Sequence, residues 1–303
     1  MNTSPSLLLQ AAEQAAGGQT LPTGALYVVA TPIGNLADLT LRAIHVLALA
    51  DTVACEDTRV GGALLQHLGL RKPLLPLHQH NEAAAAGHVI HRLAAGERVV
   101  LVSDAGTPAV SDPGARLVAA VAAAGHRVLP IPGPSSALAA LSVAGDATAT
   151  AFMFQGFLPA KGREREAALA AVLAAPGAQI LFEAPHRIET LAAALAAAAP
   201  MRTVTLCREL TKQFETVHTA PAGDLPAWLA ADANRLRGEF VLVLHALPPT
   251  AGDDDIDPAA LRALDVLQRE LPLKQAVALA AEISGAPRNA LYALALSRKQ
   301  GEN

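Results

Sequence analysis

The chain has 303 residues, enough for about two domains at the usual ~100–200 residues each. Its net charge of -4 gives no overall attraction for nucleic acid, so any RNA contact needs a local basic patch. An aromatic content of 3% argues against a broad platform for stacking single-stranded bases. No apolar run reaches the ~18 residues of a membrane span, and residues 1–24 lack a signal-peptide pattern, so a cytoplasmic protein is expected.

The composition also bears on cysteine and metal chemistry. Cys55 and Cys207 lie far apart in apolar runs, so we expect buried thiols rather than a disulfide or a metal site. The sequence has no cluster with zinc-ligand spacing, no Walker loop and no complete GxGxxG, so no metal is expected in the chemistry.

The first half of the chain alternates short apolar runs with helical segments. This alternation predicts an α/β domain over 25–144 with a largely parallel sheet, preceded by a flexible tail over 1–24. The predicted strands are 26–30, 52–55, 74–77, 99–102 and 127–131.

The second half predicts a mixed α/β domain over 145–247. Its alternating segment 214–218 is expected to pair antiparallel to its neighbour. The other predicted strands are 152–157, 179–183, 203–207 and 239–245, and an acidic linker follows at 253–257.

Residues 258–303 predict two or three short helices with a turn at Gly285-Ala286-Pro287, typical of a helix-turn-helix. This segment is mildly basic, with six Lys or Arg against four Asp or Glu. It could contact RNA, and it could equally cap the core as a helical hairpin or form a dimer contact.

Two polar loops follow predicted parallel strands, Ser103 to Thr107 and Pro132 to Ser136. Ligands of open parallel sheets bind beyond the carboxyl ends of the strands, so both loops should face one crevice. Asp104 follows four apolar residues, a costly place for a carboxylate unless backbone or ligand donates hydrogen bonds to it. The alternative is plain turn chemistry, in which glycine and proline are common.

Ten motifs follow one another along residues 26–292: ATPIGNLADLTLRA, CEDTR, LHQHNE, LVSDAGTPAVSDPG, PGPSSALAALSVAG, GFLPAKGRERE, FEAPHR, CRELTKQFET, GEFVLVL and ELPLKQAVALAAEISGAPRNALY. In this order they resemble the small-subunit ribosomal RNA methyltransferases of the tetrapyrrole-methylase-like superfamily. The resemblance implies S-adenosylmethionine-dependent 2′-O-methylation of a cytidine ribose in the decoding region of 16S rRNA. The substrate would be free rRNA or the assembled 30S subunit, and the enzyme a homodimer. A methylase of a small tetrapyrrole precursor is the alternative, and a non-catalytic nucleotide-binding or RNA-chaperone module is less favoured.

The resemblance also implies the fold and the donor site. The fold would be two α/β domains, a mainly parallel sheet and then a mixed one, with a helix-turn-helix-like appendage. S-adenosylmethionine would bind in the cleft between the domains. The first domain would contribute Pro32, Asp104, Gly106, Thr107, Ser135, Ser136 and Ala137, and the second Phe157, Ala184, Glu209 and Leu210.

A ribose hydroxyl must lose its proton as it accepts a methyl group, and a positioned base can contribute ~10²–10⁴-fold. The leading candidates are Glu183 and His186 from the second domain and Asp57 from the first. Glu56, His78, His80 and Glu209 also lie at loop ends. His186 with Arg187 could instead begin a phosphate-binding helix turn or be a solvated pair.

We expect cations near the predicted cleft to contact the phosphates of the RNA, because Lys and Arg provide most of the affinity for the phosphate backbone in RNA complexes. The candidates are Arg59, Lys161, Arg163, Arg165, Arg187 and Lys212. The RERE run at 163–166 could equally be a solvated helix face.

Overall fold

The computed structural model describes residues 5–78, 81–248 and 258–301. The chain divides into two units, one running to Ala246 and one beginning at Leu247. The first unit contains two five-stranded sheets. His80 and the predicted linker 253–257 lie outside the described residues.

The first sheet is parallel throughout, with the strand order β3-β2-β4-β1-β5. Its strands are β1 (Ala25–Val29), β2 (Thr52–Cys55), β3 (Leu74–Pro76), β4 (Val99–Val102) and β5 (Arg127–Ile131). The helices along this part of the chain are α1 (Pro5–Ala16), α2 (Leu41–Leu49), α3 (Thr58–His67), α4 (Glu82–Ala94), α5 (Ala115–Ala123) and α6 (Ser136–Ala144).

The strands of this sheet are short apolar runs because both faces are covered. All four residues of β4 are buried, and apolar clusters lie on the two sides of the sheet. Continuous apolar runs are typical of parallel strands buried on both faces. Since β1 lies between β4 and β5, the loops after these three strands emerge side by side at one edge.

Helix α1 corrects the prediction of a flexible tail over 1–24. Leu8, Ala12 and Ala16 recur every four residues, so they share one helix face. Ala12 and Ala16 are buried, and Leu8 packs with Ala12 into the core cluster that includes α2. The spacing of small apolar residues was the available signal, although alanine faces carry a weak hydrophobic contrast.

The second sheet is mixed, with the order β6-β7-β10-β8-β9, in which only β6 and β7 pair in parallel. The predicted antiparallel strand is confirmed as β9, paired to β8. The strands are β6 (Phe152–Phe157), β7 (Ala178–Glu183), β8 (Thr203–Arg208), β9 (Thr216–Pro221) and β10 (Phe240–Leu244). The helices are α7 (Gly162–Ala174), α8 (Ile188–Ala198) and α9 (Leu225–Ala230).

The predicted parallel sheet followed by a mixed sheet is therefore confirmed. The proposed boundary between 25–144 and 145–247 stays a prediction, since both sheets belong to one unit. Cys55 and Cys207 are buried free thiols, as expected. Burial raises the pKa of Cys55 to about 11 and that of Cys207 to about 12, which makes both poor nucleophiles at neutral pH.

The second unit consists of three helices, α10 (Pro258–Glu270), α11 (Leu273–Ser284) and α12 (Arg288–Gly301). Leu264, Val277 and Leu291 from the three helices meet in one buried cluster. Gly285 to Pro287 form the turn between α11 and α12, where the sequence predicted it. Among the described residues, every helix is too short or too polar to cross a membrane.

A buried carboxylate holds the start of α5. Oε1 of Glu82, in the first turn of α4, accepts the backbone N–H groups of Gly114, Arg116 and Leu117 at 2.9, 2.9 and 3.3 Å. These donors have no partner within their own helix. The negative charge also lies at the positive end of the α5 dipole. Glu82 of the LHQHNE motif therefore fixes the turn that precedes α5.

We expect Glu82→Ala to lower the free energy of unfolding by roughly 1–3 kcal/mol, because it leaves buried N–H groups without an acceptor. The matched control is Glu189→Ala, an exposed carboxylate in the first turn of α8, which should cost less than about 1 kcal/mol. Urea unfolding measures both. Equal losses in the two variants would contradict the capping role.

Candidate active site

The loops after β1 and β4 are joined by a backbone bridge. Thr31 N–H donates to Gly106 O at 2.9 Å, and Gly106 N–H donates to Thr31 O at 3.0 Å. The Thr107 hydroxyl donates to Pro134 O in the loop after β5, at 3.0 Å. Asp57 N–H, after β2, donates to Asp104 Oδ1 at 3.0 Å. Four strand ends are thus tied into one wall, which we call the loop wall.

The loop wall faces the second sheet across a cavity of about 360 Å³, here called the cleft cavity. Its size lies within the ~300–1,000 Å³ usual for small-molecule sites. From the loop wall and α6, its lining is Ile33, Ala105, Gly106, Thr107, Val110, Ser111, Asp112, Ser135, Ser136 and Ala137. From the second sheet and its loops, it is Phe157, Phe182, Glu183, Ala184, Pro185, Leu210, Glu239, Phe240 and Val241.

Eight of the residues that the resemblance implied for the donor line the cleft cavity. They are Gly106, Thr107, Ser135, Ser136, Ala137, Phe157, Ala184 and Leu210. Pro32 and Asp104 instead line a neighbouring cavity of about 210 Å³, bounded by α3. Successive residues of an extended loop point to opposite sides, so Ile33 and Ala105 face the cleft cavity while Pro32 and Asp104 face away. Glu209 lines neither cavity.

The sequence reasoning missed several lining residues. Ile33, Ala105, Val110, Ser111 and Asp112 lie next to predicted positions, so the motif itself was the available signal. Phe240 and Val241 belong to β10, and their place at the cavity depends on strand order. Local sequence carries no signal for that order.

Glu183, a predicted base, is fully buried and held by two arginines. Arg165 Nη2 lies 3.2 Å from Oε2, and Arg187 Nε lies 2.9 Å from Oε1. Both guanidinium groups also donate to the carbonyl of Pro159. Both oxygens of this carboxylate therefore face guanidinium groups, and the geometry favours a structural role for all three side chains.

The other leading candidates are also unfavourably placed. Asp57 caps α3 through Arg59 N–H at 2.8 Å and pairs with the Arg59 side chain. Hydrogen bonds from Arg59 lower the pKa of Asp57 to about 2, far from that of an efficient base near neutral pH. His186 is exposed and does not line the cleft cavity. Glu56 and His78 do not line it either.

Lys212 bridges two carboxylates at the side of the cleft. Its Nζ lies 2.8 Å from Glu209 Oε1 and 2.9 Å from Glu239 Oε2. Burial alone would raise the pKa of Glu209, but the hydrogen bonds from Lys212 and from Glu239 N–H outweigh it and lower that pKa. The stem of Lys212 also lies against Gly34, where an added Cβ would come within 2.4 Å of its Cγ.

The predicted phosphate-binding cations fall into two groups. Arg165, Arg187 and Lys212 are held in the ion pairs just described. Lys161 and Arg163 are exposed at the start of α7, and the Arg59 side chain is 89% exposed although it pairs with Asp57. The side chains of the second group are exposed to solvent, so they remain the candidates for phosphate contact.

Backbone strain in the described residues concentrates beside the cleft. The three non-glycine residues with positive φ there are Ala109, Glu209 and Thr211, at 65°, 52° and 66°. Ala109 belongs to the loop wall, and the other two belong to the loop after β8. Such conformations cost of order 1–3 kcal/mol each and persist where the surrounding structure fixes them, commonly at functional sites.

Comparison with known proteins agrees with this architecture. The family model described as tetrapyrrole (corrin/porphyrin) methylases matches residues 25–226. The uroporphyrin-III C-methyltransferase structure from Thermus thermophilus aligns with a TM-score of 0.53 at 24% identity, covering 73% of this chain and 94% of that one. Another structure from that source, complexed with S-adenyl homocysteine, aligns with a TM-score of 0.52 at 18% identity, covering 73% and 97%. These likenesses establish a tetrapyrrole-methylase fold.

Sequence relatives narrow the class. Ribosomal RNA small subunit methyltransferase I of Escherichia coli O157:H7 is 49% identical over 277 residues, covering 91% of this chain and 96% of its own. The protein of the same name from Pseudomonas aeruginosa PAO1 is 48% identical over 280 residues, covering 92% and 99%. A model described as the RsmI C-terminal HTH domain matches residues 254–299. The chain belongs to the ribosomal RNA small subunit methyltransferase I family.

The ion pairs around Glu183 give a stability prediction. Arg187→Ala should lower the free energy of unfolding by about 2–3 kcal/mol, less than the ~3–5 for a fully broken buried pair, because Arg165 still faces Glu183. Arg163→Ala, at an exposed arginine two residues before Arg165, is the control and should cost less than ~0.5 kcal/mol. Chemical denaturation of both variants provides the comparison. An Arg187→Ala protein as stable as the control would refute the structural role.

Proposed function

We propose that this protein methylates small-subunit ribosomal RNA with S-adenosylmethionine, at the ribose 2′-oxygen of a cytidine in the decoding region. The carrying observation is the 49% identity to a ribosomal RNA small subunit methyltransferase I, over 96% of that protein's length. The matching C-terminal HTH model favours RNA over a small tetrapyrrole, so the tetrapyrrole alternative is not favoured.

The cleft cavity fits the donor in size and in polarity. Phe157, Phe182 and Leu210 would pack against the flat apolar base, and Thr107, Ser135 and Ser136 would face the polar groups. When bound, S-adenosylmethionine supplies an electrophilic methyl group on a positively charged sulfur. The loop wall would orient the donor with backbone and small side chains, as rigid positioning requires.

Charge balance on the second-sheet side of the cavity supports the same chemistry. The donor's positive charge disappears in the transition state, so an unpaired anionic pocket at sulfur would stabilise the ground state too strongly. Glu183 is paired with two arginines and Glu239 with Lys212. These cations leave the second-sheet side of the cavity without excess negative charge.

The remaining parts of the proposal concern the polynucleotide and the assembly. Exposed Arg59, Lys161 and Arg163 would contact phosphates, together with the basic residues of the C-terminal helices. A ribosomal RNA substrate, free or in the 30S subunit, supports a cytoplasmic location. We also propose a homodimer, which rests on the family resemblance.

The function is tested by incubating the protein with methyl-labelled donor and, separately, 30S subunits, free 16S rRNA and a porphyrin precursor. We expect label in rRNA, and nuclease digestion should release it as 2′-O-methylcytidine. Label in the porphyrin precursor with none in either RNA sample would reject the proposal.

The donor site is tested by a matched pair of phenylalanines on β6. Phe157 lines the cleft cavity and is 56% exposed, whereas Phe152, at the other end of the strand, is 50% exposed and lies outside the lining. Phe157→Ala should weaken donor binding roughly tenfold, since aromatic contacts contribute ~0.5–1.5 kcal/mol beyond buried area. Phe152→Ala should bind normally by calorimetry. Equal affinities in the two variants would place the donor elsewhere.

A further inference from the structure

Three carboxylates line the cleft cavity, and they differ in their partners. Glu183 faces two arginines and Glu239 faces Lys212, as described above. Asp112 has no cation within salt-bridge distance among the described residues. It is therefore the carboxylate of the cavity whose charge is left uncompensated.

The turn that carries Asp112 is held from several sides. Gly114 donates its N–H to the buried carboxylate of Glu82 at 2.9 Å. With φ at 133°, Gly114 also lies so close to the core that an added Cβ would meet Leu101 Cδ2 at 2.9 Å. Ala109, at the start of the turn, has a positive φ of 65°. A side chain on such a fixed turn is held in one place, which suits a group that must meet a reacting atom.

The surroundings of Asp112 make its protonated form more favourable than that of an aspartate in water. Half-burial raises the pKa of Asp112, the Asp104 carboxylate adds to the effect, and interaction with the Ser103 hydroxyl partly offsets it. Glu56 at the end of β2 also faces this group, and its pKa is raised by burial and by neighbours that include Asp112. A carboxylate becomes a stronger base as its pKa approaches the operating pH.

We propose that Asp112 is the base that takes the proton from the ribose 2′-hydroxyl during methyl transfer. The inference rests on the proposed function. As the new O–CH₃ bond forms, the S–CH₃ bond breaks and its electron pair stays on sulfur. The hydroxyl proton passes to a carboxylate oxygen of Asp112, and solvent removes it afterwards. Asp112 was absent from the predicted bases because it lies four residues beyond the DAGTP segment, inside a run that resembles ordinary turn chemistry.

The test compares wild type with Asp112→Asn and Asp112→Glu in single-turnover methylation of 30S subunits, between about pH 5 and 9. The wild-type rate should rise with pH as Asp112 ionises and then level off. Asp112→Asn should be ~10²–10⁴-fold slower and lose this rise, and Asp112→Glu should recover part of both. An Asp112→Asn variant with a wild-type rate and pH profile would overturn the inference.

Two readouts besides activity separate a base from other roles. A carboxyl whose folded pKa is raised costs stability above its unfolded pKa, and this cost fades on acidification. Asp112→Asn should therefore have an equal or higher Tm at neutral pH, with any gain fading in acid. Its donor affinity by calorimetry should match wild type. A lowered Tm, or a loss of donor affinity as large as the loss of rate, would reassign Asp112 and overturn the inference.

The same experiment distinguishes a failure of the role of Asp112 from a failure of the proposed function. If the wild-type protein labels rRNA and the Asp112→Asn variant is equally active, the role of Asp112 is refuted and the proposed function stands. Wild type that fails to label any RNA refutes the proposed function, and this inference with it.

Discussion

The pair of backbone hydrogen bonds between Thr31 and Gly106 is the constraint on which the site depends. It joins the loops after two parallel strands by an isolated antiparallel bridge. The Thr107 hydroxyl extends the connection to the loop after β5. Loops are ordinarily the mobile part of a fold, but these have their polar groups satisfied by one another. They can therefore present a fixed surface to a small molecule.

The opposite side of the cavity is organised by charge. Glu183 with its two arginines, and Lys212 with its two glutamates, are compact clusters in which each ion has partners. Buried ion pairs contribute little net stability but are costly to break. Their value here is positional, because they anchor the segments that follow β6, β7 and β8 beside the cavity. The chemistry proposed for Asp112 depends on this contrast between paired and unpaired carboxylates.

The sequence predicted the alternation of strands and helices, because apolar runs and their Gly- or Pro-rich ends are local signals. It also predicted most of the loops that meet at the cavity, although ligand binding there stays a prediction. It could not predict which way each loop side chain points, so Asp104 and Pro32 line a neighbouring cavity instead of the cleft cavity, and their part in donor binding stays a prediction. Glu183 was a candidate base in the sequence because its partner Arg165 lies on a different element, and only the packing of α7 against β7 brings the two side chains together.

Gly34 belongs to the loop wall, and its lack of a side chain leaves room for a residue of the loop after β8. The stem of Lys212 occupies the space that a side chain at position 34 would need. A methyl group there would displace the Lys212 side chain from its place between Glu209 and Glu239, or else shift the loop after β8. The absence of a side chain at position 34 therefore lets Lys212 reach Glu209 and Glu239 beside the cleft cavity.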